Sequence, residues 1–223
     1  MKIGGFATFM SPNATPGMIR DFGAKSEDLG LDSIWMGEHV ALFEKNTFGY
    51  PGSKDGRIPV PPGGGMLDVT ATFGFLAAGT KTLRFGTGVA LVPQRNPIYT
   101  AKEMATIDWL SNGRLDFGIG VGWNKEEVEA CGYQWEDRGA RCDEFIEVMR
   151  RLWTEDAVTH EGRFYRTHEL TIAPKEGKAT KVTLTPETKG ADGVKDLVGK
   201  AVTVEVSVHA KSKALSVAAL PTS

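Results

Sequence analysis

Short apolar runs alternate with helical stretches at a near-constant interval, and this rhythm restricts the chain to a narrow set of folds. Four runs read as strands: Lys2–Phe9, Ser33–His39, Leu83–Val92 and Arg114–Gly122. The first and second start 31 residues apart, as do the third and fourth, while the second and third are 50 apart. Each run is nearly apolar throughout and bounded by Gly, Asp, Asn or Pro, as strands buried on both faces are. Helical patterns lie between them. Gly17–Leu29 presents Met18, Ile19, Phe22 and Leu29. Asp68 stands as an N-cap before the apolar stretch that ends at Ala78. Pro97 opens Pro97–Leu110 in the first turn, where a missing N–H costs nothing. In Ala140–Trp153 the apolar stripe is Phe145, Ile146, Met149, Leu152 and Trp153. A βα alternation of this kind builds a parallel sheet with covering helices.

The longer gap comes from Val40–Leu67, a Gly- and Pro-rich segment with no periodicity. It follows a strand's C-terminal end, where parallel α/β folds place their sites, and its composition predicts mobility. The rhythm stops near Ala173. From Pro174 onward there is no aromatic residue, and Lys181–Thr185 and Ala201–His209 alternate like half-exposed strands. Gly190–Lys200 reads as a turn and short helix. The division expected is 1–173 for the βα portion and 174–223 for a divergent, β-rich tail.

Charge removes several function classes. Lys and Arg total 26 against 28 Asp and Glu, a net charge of −2, which provides no nucleic-acid footprint and no polybasic membrane surface. No apolar run approaches membrane-spanning length. The N-terminus reads as a strand rather than a signal peptide. Two cysteines, Cys131 and Cys142, cannot form a disulfide framework, so a reducing cytoplasm is the expected location.

Three places could carry chemistry. Glu38 and His39 end the second run, and a histidine at a strand mouth serves either as a general base or as a structural hydrogen-bonding residue. Gly86 and Gly88 inside the third run leave room for a flat group to approach the backbone, or else mark a bulge or close packing. Gly118, Gly120 and Gly122 give the fourth run a bare face, followed by Trp123 and Asn124; Trp123 either stacks on a ring or caps the core. The Gly pattern is no dinucleotide fingerprint, because no GxGxxG opens a helix. The four histidines (His39, His160, His168, His209) form no HxxxH or HExxH, and no metal site is expected.

The segments SIWMGEH, LRFGTGVALVPQRNPIYTAKEMATIDWLSNGRLDFGIGVGW and EACGYQWEDRGARCDEFIEVMRRLW followed by HEGRFYR together resemble the bacterial luciferase-like monooxygenase family, particularly its coenzyme F420-dependent branch. The resemblance implies a TIM-type (β/α) barrel, of which this chain carries about four units followed by the divergent tail. It implies an F420 cofactor, or FMN as the alternative, and hydride transfer or monooxygenation on a small organic substrate. By resemblance His39 and Glu38 are the catalytic residues, His39 taking a hydroxyl proton while hydride passes to C5 of the deazaflavin. Trp35, Gly86, Gly88, Val89, Gly120, Gly122, Trp123 and Asn124 would bind the cofactor. Gly88–Val89 matches a place where the family often has a non-prolyl cis peptide. Glu127 is a weaker candidate acid. The family's Gly-rich phosphate-binding portion has no counterpart after Pro174. A half barrel has two open sheet edges, which the tail strands or a second chain could cover. The alternative reading is therefore a non-catalytic or truncated flavin-binding half barrel that homodimerises.

Overall fold

A computed structural model describes residues 2–175 and the strand segments Lys181–Leu184, Val204–Val206 and Val217–Ala219. The elements run β1 (Gly4–Phe6), α1 (Pro16–Asp28), β2 (Ser33–Met36), α2 (Val69–Gly79), β3 (Arg84–Thr87), β4 (Ala90–Leu91), a 3-10 turn (Val92–Gln94) and α3 (Pro97–Leu110). They continue with β5 (Leu115–Gly120), α4 (Lys125–Ala130), α5 (Arg138–Thr154), β6 (Val158–Glu161), β7 (Arg166–Leu170), β8 (Lys181–Leu184), β9 (Val204–Val206) and β10 (Val217–Ala219).

Strands β1, β2, β3, β5 and β8 lie side by side in that order, all parallel, with β4 beside the far end of β5. The expected parallel sheet with helices is therefore present. The tail is part of it: β8 pairs with β5, and β9 and β10 continue antiparallel. One of the two expected open edges is thus covered by the tail's own strands. Among the described residues β1 pairs only with β2. The short helix expected at Gly190–Lys200 lies outside the described residues.

Helix starts follow their caps. The Asp68 carboxylate accepts the Ala71 N–H at 2.8 Å, and Thr15 and Asn96 cap α1 and α3 in the same way. Chain reversal after α3 uses Asn112 and Gly113, both left-handed (φ 58° and 77°), a conformation Asn and Gly tolerate best. Alternation along the strands separates two faces. Ile34, Met36, Phe85, Leu115, Phe117 and Ile119 face the helices and join Phe73, Leu76, Met104, Phe145 and Leu152 in one core.

The opposite face carries Ser33, Trp35, Arg84, Gly86 and Asp116. Arg84 there grips Asp116 through two bonds of 2.8 and 2.7 Å. Of the two readings left open for Gly86, the structure shows close packing rather than space for a ligand. A Cβ at this position would lie 2.4 Å from the Trp35 ring, so the flat group against this backbone is the indole of the neighbouring strand.

Two charged residues lock helices to strands. Arg114 is buried, and its guanidinium donates to Ser111 O, Thr80 Oγ1, Leu83 O and Ala77 O, the last at the end of α2. Burial pushes its pKa down. The Glu27 carboxylate at the end of α1 accepts the N–H groups of Lys81, Thr82 and Leu83 ahead of β3.

Two elements escaped the sequence reading. The polar hairpin β6–β7 spans the HEGRFYR segment, to which the sequence reading assigned no element, and its turn is held by Glu144 through the N–H groups of Phe164 and Tyr165. Helix α4 is only six residues long.

Candidate functional site

Strands β2, β3 and β5 direct their C-terminal ends to one side of the sheet. Here the third run breaks. The Gly88–Val89 peptide is cis, and it divides the run into β3 and β4. The Gly88 N–H donates to Met36 O at 2.6 Å, tying this bend to β2.

Glu38 and His39 are neighbours in sequence, but their side chains part. Glu38 is buried, and its carboxylate accepts the Leu91 N–H at 2.6 Å and pairs with the Arg95 guanidinium. Arg95 also reaches Glu103 at 3.3 Å and Asp68 at 3.9 Å. Burial opposes the Arg95 charge, and the Glu38 carboxylate more than offsets it, leaving the pKa raised. Every oxygen of Glu38 is therefore committed to the protein, a poor arrangement for the proton exchange expected of it.

His39 turns the other way. Its Nδ1 lies 2.8 Å from Oε2 of Glu127, and its side chain is 11% exposed. Glu127 has no exposure, and its Oε1 accepts the N–H groups of Val40 and Ala41 at 2.5 and 3.2 Å. Trp123 stands edge-on to the His39 ring, centroids 5.6 Å apart, and Tyr50 packs against Trp123 at the same separation. Asn124 caps α4 by accepting the Glu127 N–H. Two N–H donors of adjacent residues, Trp123 Nε1 and Asn124 Nδ2, are buried without a hydrogen-bond partner.

The structure thus brings His39, Trp123 and Asn124 together with Glu127 and Tyr50. Gly122 precedes them at φ 77°, the conformation that requires glycine there. Gly120 pairs with Leu91 across β4 and β5. Trp35 and Gly86 pack against each other on the inner sheet face, where Trp35 donates to Ser33 Oγ at 3.0 Å. Gly88 approaches Phe6, which would sit 3.1 Å from a Cβ, and Val89 is half-buried.

The Val40–Leu67 loop is more tethered than its composition predicts. The Thr47 hydroxyl and N–H hold Glu126 at 2.6 and 2.7 Å, keeping that carboxylate below the usual range. Phe48 stacks on Trp135 at 5.6 Å.

Glu127 was expected only as a weak candidate. Its signal was Asn124-x-x-Glu127, a capping-box pattern. In this chain the glutamate reaches across to His39 and its neighbours instead of back to its own helix cap.

A family model for luciferase-like monooxygenases matches residues 1–194. The chain belongs to that family. The match runs past Ala173 and takes in β8. An F420-dependent glucose-6-phosphate dehydrogenase from Kineococcus radiotolerans is 29% identical over 189 residues, 83% of this chain and 50% of the relative. An FMNH(2)-dependent dimethylsulfone monooxygenase from Pseudomonas fluorescens is 37% identical over 103 residues, 45% of this chain and 28% of the relative. The monooxygenase RslO1 from Streptomyces bottropensis superposes with a TM-score of 0.65 at 25% identity, covering 83% of this chain and 53% of RslO1. The luciferase-like chain described here spans about half the length of the curated relatives it matches, and its α/β architecture is part of their barrel. Relatives in both cofactor classes make a flavin or deazaflavin the expected cofactor class. No helix among the described residues is long and apolar enough to cross a membrane.

Proposed function

We propose that this chain forms the ring-side half of a flavin- or deazaflavin-dependent oxidoreductase acting on a small organic substrate, with His39 as the acid/base. The observation that carries this reading is the His39–Glu127 contact at the C-terminal end of β2, where a nearly buried imidazole is held by a carboxylate at 2.8 Å. An imidazole so placed can serve as a general acid or base toward a bound substrate.

The surroundings suit a planar cofactor. Trp123 Nε1 and Asn124 Nδ2 are buried donors with no hydrogen-bond partner among the described residues, and the flavin and deazaflavin ring systems are rimmed with acceptor oxygens and nitrogens. Trp123, Asn124 and Gly122 would hold the ring's edge, and the Gly88–Val89 bend would lie behind it. When bound, such a ring supplies the hydride acceptor or donor. The protein's part is to orient substrate with Trp123 and Tyr50, exclude water with the tethered loop, and move one proton at His39. In this reading Glu38 holds the scaffold, and F420 is favoured over FMN by the resemblance of the RNP and GVGW segments to the F420 branch.

The test is cofactor reduction or oxidation with a panel of small alcohols and ketones, comparing wild type with His39→Asn. General acid/base loss is expected to lower kcat by about 100-fold or more with the melting transition unchanged. A His39→Asn protein that turns over like wild type would overturn the assignment.

A further inference from the structure

The two oxygens of Glu127 have unequal duties. Oε1 receives two backbone donors, Val40 N–H and Ala41 N–H, while Oε2 faces only His39 Nδ1. An ionised carboxylate can only accept. In a neutral imidazole facing it, Nδ1 must therefore carry the proton and Nε2 the lone pair. Among the described residues Nε2 makes no hydrogen bond to the protein.

We propose that Glu127 is a positioning residue that fixes His39 in the Nδ1–H tautomer and so makes Nε2 the nitrogen that exchanges protons with substrate. The proposal rests on the reading of His39 as the acid/base; it adds which nitrogen acts and what selects it. When a substrate hydroxyl is deprotonated, its O–H bond breaks as the Nε2–H bond forms. The positive charge on the ring then faces the buried Glu127 carboxylate. The same carboxylate fixes the start of the Val40–Leu67 loop, so ring orientation and loop entry are set by one side chain.

The unequal duties make Glu127→Gln informative. An amide has one acceptor and one donor end. Two converging backbone N–H groups require the amide oxygen at the Oε1 position, which leaves the NH2 facing Nδ1. Only the opposite tautomer, Nε2–H, then makes the hydrogen bond. An amide replacing a buried carboxylate beside a catalytic histidine is known to impose the wrong tautomer with the geometry intact.

The measurement is long-range nitrogen–proton NMR of histidine-labelled protein, without cofactor, at mildly alkaline pH. Wild type is expected to place the His39 proton on Nδ1, and Glu127→Gln to move it to Nε2. Wild type with the proton on Nε2 overturns the proposal by itself, whether or not the variant folds. A folded Glu127→Gln that keeps the Nδ1–H tautomer also overturns it. Because the readout needs no cofactor, it separates from the functional reading: the expected tautomers in a protein that binds no flavin would refute the proposed function and leave the role of Glu127 standing.

Discussion

Removing one member of the Glu38–Arg95 pair tests whether this carboxylate holds the scaffold. The Glu38 and Arg95 side chains are only 7% and 17% exposed, so either residue alone becomes a poorly solvated charge. Breaking a buried pair typically costs about 3–5 kcal/mol. In Glu38→Gln, Arg95 still has Glu103 at 3.3 Å and Asp68 at 3.9 Å, and the amide oxygen can still accept the Leu91 N–H, which places the loss near the lower end, about 3 kcal/mol. In Arg95→Met, Glu38 keeps only the Leu91 N–H, so the loss approaches about 5 kcal/mol. At about 2–4 °C per kcal/mol for a protein of this size, Glu38→Gln is expected to melt about 6–12 °C below wild type. The double variant should lose less than the sum of the singles by about 1 kcal/mol or more. Thermal and urea unfolding of the four proteins closes the cycle. A Glu38→Gln protein that melts with wild type, or additive losses in the double variant, would refute the structural assignment.

Two further perturbations follow from the same reasoning. Arg114→Met leaves four buried acceptors without a donor and removes the tie between the ends of α2 and α3; a loss of about 3 kcal/mol is expected in urea unfolding, and a loss below about 1 kcal/mol would contradict it. Glu27 has its carboxyl lowered to about 2 from 4.5; burial opposes the shift, and the Thr82 hydroxyl with the N–H groups of Thr82, Lys81 and Leu83 outweighs it. A lowered carboxyl contributes stability that is complete above 4.5 and lost as pH falls from 4.5 toward 2. Glu27→Gln should therefore flatten stability against pH in that window, by about 1 kcal/mol once solvent screening is counted, and an unchanged acid profile would rule this out.

Local signals carried much of the fold. Pro97 and Leu110 bound α3 as read, and Asp68 caps α2 as read, because a cap and a period are written in adjacent residues. The apolar strand runs were legible for the same reason. Helix α4 was not, since six residues hold less than two helical turns of pattern. Long-range partners were the other blind spot. Gly86 looked like space for a ligand because the Trp35 ring that fills it comes from the neighbouring strand. Glu127 looked like only a weak candidate acid because its histidine is 88 residues away. Glu38 looked catalytic by its place beside His39. Just past the end of β2 the two side chains part, and only the fold reveals that Glu38 meets Arg95 while His39 meets Glu127.

The central claim is that the face around His39 and Trp123 receives a flavin-type ring. Titrating the purified chain with F420 and with FMN, followed by ring fluorescence, tests it most directly. Saturable binding in the micromolar range is expected for F420, weakened about tenfold in Trp123→Ala through loss of one aromatic contact. A folded protein that leaves both fluorophores unperturbed to high micromolar concentration would contradict the account.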